Sequence, residues 1–133
     1  MAIKYDAGTG ALKNWLVQET AFDERCLGKC EAIFAQGNGY LGVRNALEEP
    51  YTGEKRNTFV TGTFNKASAD EVTELPNVAD MTGITVKING YELNLLHGEL
   101  DDYSRTMNLR TGETTRKIRW KTPEGITLTA SFR

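Results

Sequence analysis

The stretch GNGYLGVR, residues 37–44, decides between two folds. Its Gly37-x-Gly39-x-x-Gly42 spacing matches the bare fingerprint of a dinucleotide-binding turn. Such a turn needs a buried parallel strand before it and a crossover helix after it. Upstream stands KCEAIFAQ, residues 29–36, with Ile33 as its one β-branched residue and with Glu31 and Gln36, so it reads as a short helix. Downstream, VRNALEEPYTGE meets Pro50 and Gly53 too soon for a crossover helix. A kinase-type glycine loop would want Val where Arg44 stands. The glycines therefore read as backbone geometry. Gly37 caps a helical turn, Asn38-Gly39 supplies positive φ in a tight turn, and Tyr40 to Val43 begin a strand. Gly42 inside that strand marks a bulge or a close backbone approach.

Working outward, the rest of the chain reads as sheet. ITVKINGYELNL, residues 84–95, alternates apolar and polar residues around Asn89-Gly90, the dipeptide most diagnostic of a two-residue hairpin. That turn sets Ile88 against Tyr91, Val86 against Leu93 and Ile84 against Leu95 on one buried face, with Lys87 opposite Glu92 on the other. A second hairpin is predicted in KIRWKTPEGITLTASF, residues 117–132, around Pro123-Glu124-Gly125. It sets Trp120 against Leu128 and Ile118 against Ala130, and turns Lys117, Arg119 and Lys121 outward. Between them, YSRTMNLRTGETTRKI predicts a strand pair around Thr111-Gly112 with Arg110 facing Glu113. WLVQETAF (15–22) and NTFVTGTF (57–64) read as earlier strands, and residues 65–81 as a polar connection. The expected fold is mainly β: antiparallel, with one or two short helices, and no second domain in residues 1–133.

Composition bounds the function. The chain has 133 residues, 39% hydrophobic and 26% charged, with a net charge of −2. There is no basic field for nucleic acid or an anionic membrane. The opening MAIKYDAGTGALKNWL contains no continuous apolar run of the kind a signal peptide needs. Two cysteines, Cys26 and Cys30, suit a reducing cytoplasm better than a secreted scaffold. The strand pattern ITLTASFR runs to the last residue, so the chain is expected to be a piece of a longer protein. A closed barrel sealed by its last strand is the competing expectation.

CEAIFAQGNGYLGVRNALEE, residues 30–49, resembles the opening of the maltose, kojibiose and trehalose phosphorylases of glycoside hydrolase family 65. The shared features here are Trp15, Glu31, Phe34, Gly37, Asn38, Gly39, Tyr40, Gly42, Arg44, Glu48 and Glu49. After them come Gly62, Asn65, Pro76, Asn77, Arg105, Gly112, Arg116 and Arg133. Gln36 departs from the pattern, where an apolar residue is expected, and the two cysteines look peculiar to this chain. The resemblance implies an N-terminal β-sandwich of the galactose mutarotase-like super-sandwich type, with these 133 residues as its first half. It also implies a helical linker, a catalytic (α/α)₆ barrel and a small C-terminal β domain elsewhere in the polypeptide. The implied enzyme is cytoplasmic and dimeric. It needs no metal or organic cofactor, with inorganic phosphate as co-substrate. It performs inverting phosphorolysis of an α-glucosidic disaccharide to β-glucose 1-phosphate and a free sugar. Its acid and phosphate-binding residues lie in the barrel, so no catalytic residue is carried onto this chain. Partners are then the barrel, a second subunit, and sugar only through the intact enzyme, with neither nucleic acid nor membrane.

Weighed individually, the candidate side chains favour plain roles. Glu48-Glu49 and Asp101-Asp102 are adjacent acids that point to different sides, and are expected on the solvated surface or in local ion pairs. Glu31 and Arg44 flank the glycine turn, and either a structural salt bridge or an interdomain contact fits them. His97, the only histidine, has no nucleophile near it in sequence. Cys26-x-x-x-Cys30 is no zinc pattern and is expected as reduced thiols. Trp15, Tyr40, Tyr103 and Trp120 could form a sugar platform, but aromatics in strands are expected in the core. Arg105 and Arg116 fall on the apolar face with Met107, Leu109 and Ile118; needing partners, they are expected to mark contact with another domain. The alternative to a non-catalytic piece of a phosphorylase is a stand-alone carbohydrate-binding module. A nucleotide-binding protein is the third reading.

Overall fold

A computed structural model describes residues 3–133. Ten strands and one short α-helix make the architecture. β1 (Ile3–Lys4), β2 (Leu16–Glu19), β8 (Glu99–Asn108), β9 (Glu113–Lys121) and β10 (Thr127–Phe132) form a five-stranded antiparallel sheet in the order β1-β2-β8-β9-β10. β3 (Gln36–Gly37), β4 (Leu41–Val43) and β5 (Thr58–Val60) form a small antiparallel sheet, and β6 (Lys87–Ile88) pairs with β7 (Tyr91–Glu92). Helix α1 spans Leu27–Ile33, behind a single 3₁₀ turn at Glu24–Cys26 whose first free amide is capped by Asp23. The mainly β, antiparallel expectation holds, and no strand-helix alternation follows the three glycines.

Alternation along β8 and β9 sorts the large sheet into two faces. Tyr103, Arg105 and Met107 point inward beside Arg116, Ile118 and Trp120, while Lys117 and Arg119 point to water. Ile118, Trp120 and Tyr103 pack with Leu47, Tyr51, Leu93 and Leu95 in the main core; Val17, Phe34 and Met107 make a smaller cluster. The β9–β10 register is the one the Pro123-Glu124-Gly125 loop dictates, with Trp120 on Leu128 and Ile118 on Ala130. A bulge between Leu100 and Asp102 resets β8 against β9.

Four expectations need correction. The β8–β9 loop is four residues long, and Asn108, not Arg110, faces Glu113. Asn108 wins because its side chain accepts from Arg110 N (3.0 Å) and its carbonyl accepts from Gly112 N (2.8 Å), closing the turn on itself. The shift is by two residues, so the strand side chains keep their faces, while Leu109, expected on the apolar face, falls in the loop and is 51% exposed. The 84–95 hairpin keeps Ile88 on Tyr91, Lys87 on Glu92 and the bond from Leu93 N to Val86 O, but ends there. Ile84 leaves it to bond Glu48 O and is 49% exposed. Gly37 does not cap α1, whose C-cap is Phe34; it pairs with Gly42 in the small sheet. Gly42 shows no bulge, and a Cβ there would meet open space.

Candidate functional site

Glu31, Glu49, Arg105 and Arg116, four of the buried polar residues, meet at one irregular segment, residues 44–51, which lies against the inner face of the large sheet. Ala46, Leu47, Glu49 and Tyr51 within it are buried. Pro50 and the consecutive acids deny it a regular strand or helix, so its backbone carbonyls need outside donors. Arginines supply them. Arg56 Nη2 donates to the carbonyls of Leu47 (2.7 Å), Glu48 (3.0 Å) and Glu49 (3.0 Å). Arg105 Nη2 donates to the Asn45 side chain at 2.8 Å, and also to the carbonyls of Asn45 and Ala46.

Arg116 is fully buried and holds the acids. Its Nη1 donates to Glu49 Oε1 at 2.9 Å and its Nη2 to Glu49 Oε2, the bidentate fork that suits guanidinium and carboxylate. Its Nε faces Glu48 Oε2 at 2.7 Å. Burial by itself would lower the Arg116 pKa; the Glu49 bonds and the two carboxylate charges more than offset it and hold the guanidinium charged. Phe132 stacks under Arg116 at 4.5 Å and Phe34 under Arg105 at 4.8 Å. Arg105 and Arg116 thus find their partners inside the chain, and Glu48-Glu49 is not solvated surface. The sequence signal was available: inward arginines on adjacent strands require acceptors, and segment 44–51 offers Asn45 beside the Glu48-Glu49 pair.

Glu31 sits at the other end of the same segment. Arg44 Nε bonds its Oε2 at 2.9 Å, Arg44 Nη2 bonds Gly28 O at 2.6 Å, and the Tyr51 hydroxyl donates to Glu31 Oε1. Burial, then the bond to Glu31, pushes the Tyr51 hydroxyl up, so it remains a donor. Glu19, missed by the sequence reading, is 2% exposed; Tyr103 donates to its Oε2 (2.7 Å) and the Cys30 thiol to its Oε1 (3.0 Å). Burial, followed by the Glu19 contact, pushes the Cys30 thiol up to about 12. Neither cysteine is in a disulfide. Both oxygens of Glu19, Glu31 and Glu49 therefore accept hydrogen bonds from the chain itself. No cluster of metal-ligating side chains occurs among the described residues.

The glycine turn lies apart from this network. Asn38 Oδ1 accepts from Tyr40 N (3.0 Å) and Leu41 N (2.8 Å), and Gly39 takes φ +84°, a left-handed conformation costly for other residues. The turn lifts Tyr40 into water at 66% exposure, and Trp15 is 43% exposed, so neither is core as expected. Tyr103 and Trp120 are core; His97 is exposed and lends its carbonyl to Trp120 Nε1 at 2.7 Å. Asp101 and Asp102 are exposed as expected. Beside the turn opens a groove of 420 Å³ lined by Tyr40, Leu41, Phe59, Phe64 and Leu75.

Residues 17–133 match the profile described as glycosyl hydrolase family 65, N-terminal domain. The chain belongs to glycosyl hydrolase family 65. Within that family it is 44% identical over 125 residues to a kojibiose phosphorylase of Halothermothrix orenii, covering 94% of this chain and 16% of that protein. It is 31% identical over 128 residues to an α,α-trehalose phosphorylase of Thermoanaerobacter brockii, covering 85% of this chain and 16% of that one. A solved structure from the human microbiome, provisionally named kojibiose phosphorylase, superposes with a TM-score of 0.77 at 25% identity over 88% of this chain and 17% of its own. The fold is therefore the family 65 N-terminal β-sandwich fold. The chain spans about one sixth of the length of the curated family 65 relatives it matches.

Proposed function

We propose that residues 1–133 are the N-terminal β part of an inverting disaccharide phosphorylase, where they brace the catalytic portion and do no chemistry themselves. The observation that carries this is the burial of the carboxylates among partners from the chain itself. A catalytic acid must reach its substrate, and Glu19, Glu31 and Glu49 are buried with each oxygen bonded to one of Arg44, Tyr51, Tyr103, Cys30 and Arg116. In the intact cytoplasmic enzyme, a carboxylic acid outside these residues protonates the leaving oxygen while phosphate attacks the anomeric carbon from the opposite face. The substrate class is an α-linked glucose disaccharide. The relatives above are named for kojibiose and trehalose, so kojibiose rather than maltose is the first sugar to test. A homodimer is part of the same proposal.

The test is direct. The chain alone, given kojibiose, trehalose or maltose with phosphate, forms no glucose 1-phosphate; placed in the kojibiose phosphorylase of H. orenii in exchange for the matching segment, it supports phosphorolysis. Glucose 1-phosphate released by the chain alone would overturn the reading. The exposed rings of Tyr40 and Phe64 favour a second reading, a carbohydrate-binding module. Titration calorimetry against the same sugars separates the two, since only the second predicts heat.

A further inference from the structure

We infer that the groove beside the glycine turn is the seat of apolar side chains from the rest of the same polypeptide, and so is the bracing surface of the proposed phosphorylase, a reading on which this inference rests. Tyr40 is 66% exposed, Phe64 70% and Leu75 49%, and all three line this one groove with Leu41 and Phe59. Rings and branched chains gathered in water around one concavity mark a contact surface rather than scattered exposure.

The chemistry of the lining selects the occupant. No charged side chain borders the groove. Of its two side-chain hydroxyls, that of Thr61 already donates to Gly39 O at 3.0 Å, which leaves the Tyr40 phenol. A sugar carries a hydroxyl on nearly every carbon and would lose water there while gaining the Tyr40 phenol as its one side-chain partner. An apolar protein segment has no such cost. The backbone that carries the leading ring is also fixed in advance: Asn38 ties down Tyr40 N and Leu41 N, and Thr61 N bonds Tyr40 O at 2.8 Å. A hairpin held this way loses little freedom on docking. The H. orenii relative matches over only 16% of its length, so a family polypeptide carries several hundred further residues, and one joined to this chain meets the groove at high effective concentration.

Hydroxyl-radical footprinting tests this on two proteins: the chain alone, and the H. orenii exchange described above. The expected result is that Tyr40, Phe64 and Leu75 react about tenfold more slowly in the long protein than in the chain alone, with Tyr5, 62% exposed and outside the groove, as the comparison site. Replacing Tyr40→Ser and Phe64→Ser together leaves the chain alone melting within about 2 °C of the parent, but lowers the long protein's melting temperature by roughly 5 °C. Equal reactivity in both proteins overturns the inference. So does protection of the chain alone that grows with its concentration and mass, which assigns the groove to a second copy, and so does protection by kojibiose, which assigns it to sugar. Activity reads the underlying proposal separately. A protected but inactive long protein leaves the docking surface standing and removes the phosphorylase reading, whereas an active, unprotected one does the reverse.

Discussion

At the residue scale the decisive groups are the charges that water does not reach. Glu49 and Arg116 are both fully buried, and each is tolerable only because the other is there. Glu49→Gln leaves the guanidinium short of a carboxylate, and Arg116→Met leaves two acids without their cation. Each is expected to cost about 3–5 kcal/mol in urea unfolding, with the double variant costing less than the sum. Additive losses would show that the two act independently. Cys30 gives a pH signature. Its pKa is raised from 9.0 to about 12 in the folded chain, so the fold binds that proton more tightly than the unfolded chain does. The stabilisation is complete below pH 9 and is lost as pH climbs from 9 towards 12. Cys30→Ala should flatten that alkaline limb, and alkylation of the native protein at pH 8 should label Cys26, which is partly exposed, ahead of buried Cys30.

At the scale of elements, turn chemistry was the most legible part of the sequence. Asn89-Gly90 and Pro123-Glu124-Gly125 set their registers because positive φ at Asn89, Gly90 and Gly125 leaves few alternatives for short loops. The strand pair around Thr111-Gly112 was misjudged because Asn108 competes locally for the turn, and a side-chain hydrogen bond of that kind leaves no trace in hydrophobic alternation. Ile84 leaves its hairpin to donate to Glu48 O, which Arg56 also bonds, in a segment 36 positions earlier in the chain. The glycines separate the same way. Gly98 takes φ +91°, and a Cβ on it would sit 2.6 Å from Trp120 Nε1 and 2.7 Å from Lys121 O. Gly98→Ala should therefore cost about 2–4 kcal/mol. Gly42→Ala, in open space, should change stability by no more than about 0.5 kcal/mol. A large loss there would restore the close backbone approach expected of it.

Over the whole molecule the large sheet and the rest differ in how they are held. β8, β9 and β10 pair along nearly their full lengths over the main core, and both core clusters draw on that sheet. The site was hard to read from sequence for the same reason: its arginines stand on β8 and β9, whereas the Asn45 amide that Arg105 holds and the Glu49 carboxylate that Arg116 holds lie 60 and 67 positions away in segment 44–51. Residues 65–75 are exposed throughout and hold one isolated bridge, Asn65 with Glu74. Such a segment opens at little cost, while a paired strand opens only with much of its sheet. Limited trypsin digestion should therefore cut first after Lys66, well before Lys117, Arg119 or Lys121. The two pieces should stay together on a sizing column, because β2 pairs with β8 and segment 44–51 is gripped by Arg105 and Arg116 across the cut. The nicked chain should fall apart in urea at a lower concentration than the intact one, since unfolding then also frees the pieces from each other. Early cutting in β9, or pieces that separate in buffer, would show that the arginine contacts do not hold the two halves in solution.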